Sequence, residues 1–116
     1  MKNKIIVTGG LGFIGRNIVK KLNDSGWTNI IISDDLLNVG DKWKCLESLK
    51  FQDLIHKDDL LKLDTLWRQT KYVIHNGANS STTGGDCLKT NYEYSKDVMA
   101  NCVVYGVEKL IYASSG

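Results

Sequence analysis

The hydrophobic positions fall into short β-branched runs separated by longer stretches with helical spacing. Ile5, Ile6 and Val7, between Lys4 and Thr8, form a continuous apolar run that stops at glycines, and the pattern predicts a buried strand over residues 4–8. Over residues 12–25 the spacing changes: Ile14, Ile18 and Leu22 recur on one stripe and Gly26 is placed to end it, predicting an amphipathic helix. A second β-branched strand covers residues 29–33 and ends at Asp34. Further along, the pattern predicts a short helix over 42–49, a strand over 49–54, a helix over 57–69 and a strand over 72–75. A long helix over 86–105 closes at Gly106, and a last strand covers 109–113. Strands alternating with helices of this length predict βαβ units around a parallel sheet. Right-handed crossovers then give an α/β, doubly wound sheet with strand order 3-2-1-4-5.

Composition changes this picture little. A chain of 116 residues makes one domain at most, long enough to bury a real core. Fifteen Lys and Arg against 13 Asp and Glu leave a charge of only +2, which gives no footing for a nucleic-acid or membrane-surface partner. The first apolar run is too short for a signal peptide or a membrane span, so the expected location is the cytoplasm. Cys45, Cys87 and Cys102 are odd in number and show no Cys-x-x-Cys spacing, so they are expected to be reduced structural thiols, with no metal site. Proline is absent, which argues against Pro-rich linkers and recognition tails.

Candidate chemistry concentrates at Thr8-Gly9-Gly10-Leu11-Gly12-Phe13-Ile14-Gly15, between the first strand and the first helix. Glycines there allow a sharp turn, close approach of the backbone to a pyrophosphate, and tight packing of helix on strand. The helix N-terminus then presents free N–H groups and a partial positive charge to the phosphates. Asp34, at the end of the next strand, stands where a carboxylate accepts hydrogen bonds from a ribose. The order of strand, glycine turn, helix, strand and acid therefore predicts a dinucleotide site in a Rossmann-like domain. His75 closes an apolar strand and is expected to be a hydrogen-bonded structural histidine more than a catalytic one; His56 shows no partner in the sequence. Tyr92 and Lys96 have the Tyr-x-x-x-Lys spacing of a proton-transfer pair, and that spacing places both on one side of a helix.

The segments TGGLGFIG, ISDDL, HNGA and IYASS together resemble the extended short-chain dehydrogenase/reductase family along essentially the whole chain. Within it, Asn79-Ser80-Ser81-Thr82-Thr83 and the following NYEYSK are similar to the ADP-glyceromanno-heptose 6-epimerase subfamily. The resemblance implies that the intact protein epimerises an ADP-heptose at C6″, by transient oxidation with hydride passed to NAD or NADP and returned. Other nucleotide-sugar epimerases or dehydratases, and a catalytically silent dinucleotide-binding module, are the alternatives. It also implies that residues 1–116 are the NAD(P)-binding part, ending after the fifth strand and lacking the substrate-binding part. The partner is then a nucleotide-sugar substrate, and a homo-oligomer stays open.

Carried over by residue, the resemblance gives Ser115 as the catalytic serine, with Ser114 the second choice, ahead of a Tyr-x-x-x-Lys pair that this chain does not contain. Tyr92 and Lys96 precede that serine and so are in the wrong order to be the pair. Gly9, Gly12 and Gly15 form the cofactor turn, and Phe13 and Ile14 pack under the pyrophosphate. Asp34 and Asp35 reach the adenosine ribose, Asp35 in place of a common asparagine and so against NADP. Lys42 and Lys57 match lysines near the 2′-phosphate and pull the other way, with solvated surface charge as the alternative. Asn76, Gly77, Ala78, Asn79 and Ser80 line the cofactor, and Asn91 is a helix-start asparagine beside it. Asp53 is read either as an adenine contact or as an ordinary loop acid.

Overall fold

The structure is a computed structural model that describes residues 2–34, 44, 47–76 and 85–113, with backbone alone at 13, 85–93 and 113. Along the chain run β1 (Lys4–Thr8), α1 (Phe13–Asp24), β2 (Ile30–Asp34), β3 (Asp53–His56), α2 (Lys57–Leu60), α3 (Asp64–Arg68), β4 (Thr70–Asn76), α4 (Gly85–Val104) and β5 (Lys109–Ala113). The five strands form one sheet in the order β3-β2-β1-β4-β5, every neighbouring pair parallel. This is the doubly wound order the sequence predicts. Because all strands run the same way, their C-terminal ends share one edge: Thr8 pairs with Ser33 and His75, and Asp34 with His56.

Alternation along the strands divides the core in two. Ile5, Val7, Ile30, Ile32 and Ile74 point to one face and pack with Val19 of α1 and Leu11; Ile6, Ile31 and Val73 point to the other and pack with Leu60, Trp67, Val98 and Cys102. Such two-sided burial explains why the strands read as apolar runs without alternation. The α1 stripe is rotated from its expected position. Val19 is fully buried and Ile14 is 38% exposed, because a four-residue step overshoots the 3.6-residue turn and carries the buried line through Gly15, Val19 and Leu22. Burial pushes the Cys102 thiol up to about 11, which keeps it a neutral core group.

Two element boundaries differ from the sequence reading. The third strand covers 53–56 and not 49–54, since the Asn23 side chain takes both backbone groups of Lys50, at 2.8 Å each, and holds that stretch as a loop. Leu49 and Phe51 pack on the first core from this loop, which is what gave the stretch a strand-like pattern. The helix over 57–69 is broken into α2 and α3. Leu60 C=O, which an unbroken helix would offer to the Asp64 N–H, accepts the Trp67 indole N–H at 2.8 Å. Of the short helix expected over 42–49, residues 42, 43, 45 and 46 lie outside the described residues, and 47–48 form a turn.

Among the described residues β5 has no partner along its outer side, and Ile111 and Tyr112 are 43% and 55% exposed. An unpaired apolar edge templates pairing with another chain. The 116-residue chain is therefore expected to self-associate in a sedimentation series, and Ile111→Lys to suppress this; a wild-type chain that stays monomeric at every concentration contradicts it. Leu110 packs against the second core, so its substitution would perturb folding as well as the edge.

Candidate functional site

The glycine turn crosses the C-terminal edge of the sheet between β1 and α1. Gly9 has φ +66°, a conformation that side chains disfavour, and a Cβ there would also sit 3.0 Å from the Asn76 Cβ. Four successive amides are then tied inward: Gly9 N–H and Gly10 N–H donate to Ser33 C=O at 2.7 and 3.3 Å, Leu11 N–H to Asp34 Oδ2 at 2.9 Å, and Gly12 N–H to Gly9 C=O at 3.2 Å. Gly15 brings α1 down onto this turn, so closely that a Cβ would lie 2.2 Å from Gly9 O and 2.7 Å from Gly10 Cα. The first helical amides, at 13, 14 and 15, have no partner among the described residues. Gly12 provides no side-chain cap, the first turn holds no acidic residue, and the position of a Gly12 Cβ is open but for Gly9 O at 3.5 Å. The arrangement is an anion seat at a positive helix end, with space above it.

Around this seat the strand register gathers the other candidates. Asp34 ends β2 and spends one oxygen on Leu11; it pairs with His56, so Lys57 opens α2 directly beside it. Asn76 ends β4, where its Nδ2 donates to Thr8 C=O at 2.7 Å and its N–H to Thr8 Oγ1 at 3.2 Å. Its Oδ1 is buried with no partner among the described residues. Ile14 stands partly exposed on the first turn of α1, and Asn91 lies within α4. Asp35, Lys42, Gly77, Ala78, Asn79, Ser80 and Ser115 lie outside the described residues; of Phe13 and Asn91 only the backbone is described. Of the two readings of Asp53, its position favours the ordinary acid. With β3 beginning at 53 it stands at the opposite end of the sheet, where its carboxylate accepts the Leu54 N–H at 2.8 Å. A cavity of about 630 Å³ opens at that far end, between Lys4, Gln52, Asp53, Lys62, Thr65 and Gln69.

His75 is held from both sides, as a structural histidine should be. Its Nδ1 lies 2.5 Å from Thr8 Oγ1 and its Nε2 2.8 Å from Ser95 Oγ. We assign the neutral ring its proton at Nε2, donating to Ser95, with the Thr8 hydroxyl, which accepts the Asn76 N–H, donating to Nδ1. Tyr94 is at work beside it, its hydroxyl donating to Lys57 C=O at 3.1 Å, and burial above all pushes that phenol up to about 12. Neither Tyr94 nor Ser95 was picked out by the sequence reading, although their spacing to buried Val98 and Cys102 marks the inner face of α4. Lys96 is exposed on α4, which precedes β5, as the structural reading of Tyr92 and Lys96 requires. His56 does have a partner, Asp58 Oδ2 at 3.2 Å.

Burial lowers the His75 pKa from 6.5. The unfolded chain therefore binds this proton first as pH falls. The stability His75 contributes is complete above about pH 6.5, declines as pH drops below that value, and levels off below the folded pKa. Denaturant titrations are expected to show it as a slope of up to about 1.4 kcal/mol per pH unit, absent in His75→Gln. An equal slope in the variant would contradict the assignment.

A profile of the 3-beta hydroxysteroid dehydrogenase/isomerase family matches residues 6–116. The ADP-L-glycero-D-manno-heptose-6-epimerase of Brachyspira hyodysenteriae is 43% identical over 96% of this chain and 36% of its own length. The crystal structure of UDP-glucose 4-epimerase with UDP-glucose from Thermotoga maritima superposes with a TM-score of 0.66 at 26% identity, over 98% of this chain and 38% of that one. The Bordetella bronchiseptica enzyme WbmG, in complex with NAD and UDP, shares the fold with a TM-score of 0.71 at 20% identity, over 97% of this chain and 37% of that one. The chain thus spans little more than a third of the length of these proteins. No helix among the described residues is long and apolar enough to cross a membrane. From residue 6 onward, through glycine turn, sheet and flanking helices, the chain belongs to the 3-beta hydroxysteroid dehydrogenase/isomerase family.

Proposed function

We propose that residues 1–116 are the dinucleotide-binding domain of a cytoplasmic NAD(P)-dependent nucleotide-sugar epimerase, acting on an ADP-heptose at C6″. The observation that carries the dinucleotide reading is the division of labour in the turn: amides 9–12 are tied inward, while amides 13–15 have no partner, and Gly12 open space above it, among the described residues. That combination fits a pyrophosphate, which needs donors and room together. In this reading Gly9, Gly12, Phe13, Ile14 and Gly15 seat the pyrophosphate, and Asp34 and Asp35 hold the adenosine ribose. Lys42 and Lys57 flank its 2′ position, and Asn76, Gly77, Ala78, Asn79, Ser80 and Asn91 line the remainder. A bound nicotinamide supplies the hydride chemistry; the protein supplies orientation and proton transfer. Ser115 is the residue of this chain proposed to hydrogen-bond the reacting sugar hydroxyl. The 43% identity to a heptose epimerase supports the choice of sugar.

Calorimetry with NAD+ and NADP+, run beside an epimerase assay on an ADP-heptose, tests this. Binding without turnover is expected of the 116 residues, and turnover by them would contradict the division of roles. Asp35→Asn is expected to shift affinity toward NADP+ relative to NAD+ by removing a carboxylate near the 2′ position. An unchanged ratio would place Asp35 away from the ribose.

A further inference from the structure

Thr8 is the last residue of β1, and the chain enters the Gly9 turn directly from it. Its hydroxyl meets His75 Nδ1 at 2.5 Å and the Asn76 N–H at 3.2 Å, and its carbonyl accepts the Asn76 side chain at 2.7 Å. Asn76 in turn backs onto Gly9, where a Cβ would come within 3.0 Å of it. The other ring nitrogen of His75 meets Ser95 Oγ at 2.8 Å on α4. The ring is 4% exposed and flanked by Tyr94 and Tyr112, with centroids at 6.0 and 5.4 Å, and both its nitrogens are within hydrogen-bond distance of a hydroxyl, contacts that hold it in place. One rigid side chain thus spans from the start of the glycine turn to a helix on the far face of the sheet. Sliding or rotating α4 there would break the Ser95 bond or drag Thr8 with it. Asn91 lies one helical turn before Ser95 on α4, so whatever fixes the height of Ser95 fixes the height of that turn of helix too.

We propose that His75 is a positioning residue for the dinucleotide site: through Thr8 Oγ1 and Ser95 Oγ it locks the glycine turn and α4 in one register, so that Ser95, outside the site, sets dinucleotide affinity. The proposal rests on the dinucleotide reading of the turn. Its distinctive consequence is coupling. Ser95 touches the ring and the ring touches Thr8, at the start of the turn, so a change at Ser95 reaches the Gly9–Gly12 amides through His75.

The experiment uses the 116-residue chain, with NAD+ as the probe, and reads two quantities for wild type, Ser95→Ala, Ser95→Thr, His75→Asn and the Ser95→Ala/His75→Asn double variant. These are the calorimetric Kd, taken well below each variant's unfolding temperature, and the amide hydrogen exchange of residues 9–12. Ser95→Ala is expected to weaken NAD+ binding about 3- to 10-fold and to speed exchange at 9–12 by a similar factor. Ser95→Thr, which keeps the hydroxyl, restores both, and Ser95→Ala adds nothing once His75 is Asn. If Ser95→Ala lowers the unfolding temperature while leaving Kd and exchange unchanged, the bond is merely structural and the proposal is overturned. If wild type itself fails to bind NAD+, the dinucleotide reading falls and this inference falls with it. Binding by wild type with equal binding by Ser95→Ala overturns the coupling alone.

Discussion

Gly15→Ala is expected to unseat the glycine turn, lowering stability by roughly 3 kcal/mol and abolishing NAD+ binding. The added methyl would lie 2.2 Å from Gly9 O and 2.7 Å from Gly10 Cα. Both obstacles are backbone, and that backbone is pinned by bonds to Ser33 and Asp34, so no side chain can swing aside to make room. Gly12→Ala is the matched control. Gly12 has φ −74°, which any residue adopts, and its added methyl meets only Gly9 O at an ordinary 3.5 Å. Its unfolding temperature should stay near wild type while NAD+ affinity drops by about tenfold, because the methyl fills space reserved for the phosphate. Thermal unfolding and calorimetry on the pair check this. Equal losses of stability, or a Gly12→Ala chain that binds like wild type, would contradict the assignment.

Trp67→Ala should be the most damaging change away from the turn, at about 3–5 kcal/mol. Trp67 is fully buried, stacks on Tyr105 with centroids 6.3 Å apart, and donates its indole N–H to Leu60 C=O. Removing it leaves a cavity beneath α2 and α3 and takes from the Leu60 carbonyl its shorter hydrogen bond, leaving only the Leu63 N–H at 3.3 Å among the described residues. The loss is comparable to the whole stability of a marginal domain. Trp67→Phe keeps most of the ring and should cost less, chiefly the lost hydrogen bond and some volume. Urea denaturation measures both, and a Trp67→Ala loss below about 1 kcal/mol would show that the second core does not depend on it. Since α2 begins at Lys57, whose carbonyl holds Tyr94, the same substitution is expected to loosen the flank of the proposed ribose site.

How far the sequence speaks for the fold depends on whether a feature is local. β1 and β2 are legible because both sheet faces are covered there, and burial on both sides demands uninterrupted apolar residues. The glycine turn is legible because Gly9 and Gly15 answer steric demands that only glycine meets. Asp34 follows from its place after β2. The start of β3 is not legible, because it is decided by Asn23, distant in sequence, clamping Lys50. Nor is the break between α2 and α3, which depends on an indole reaching back to Leu60. With the start of the strand misplaced, the sequence leaves Asp53 open between an adenine contact and an ordinary acid, and its place at the far end of the sheet favours the second. The bond from Thr8 through His75 to Ser95 links three elements far apart in sequence, and no local pattern announces it. Ser115 and residues 77–80 came from family resemblance alone.

The most direct test of the central claim is an amide NMR titration of the 116-residue chain with NAD+. The largest shifts are expected at the amides of residues 13–15, with smaller ones at Asp34 and Asn76 and none around Lys4, Gln52 and Thr65, which line the cavity at the other end of the sheet. Shifts confined to that far cavity, or none at residues 13–15 at saturating NAD+, would contradict it.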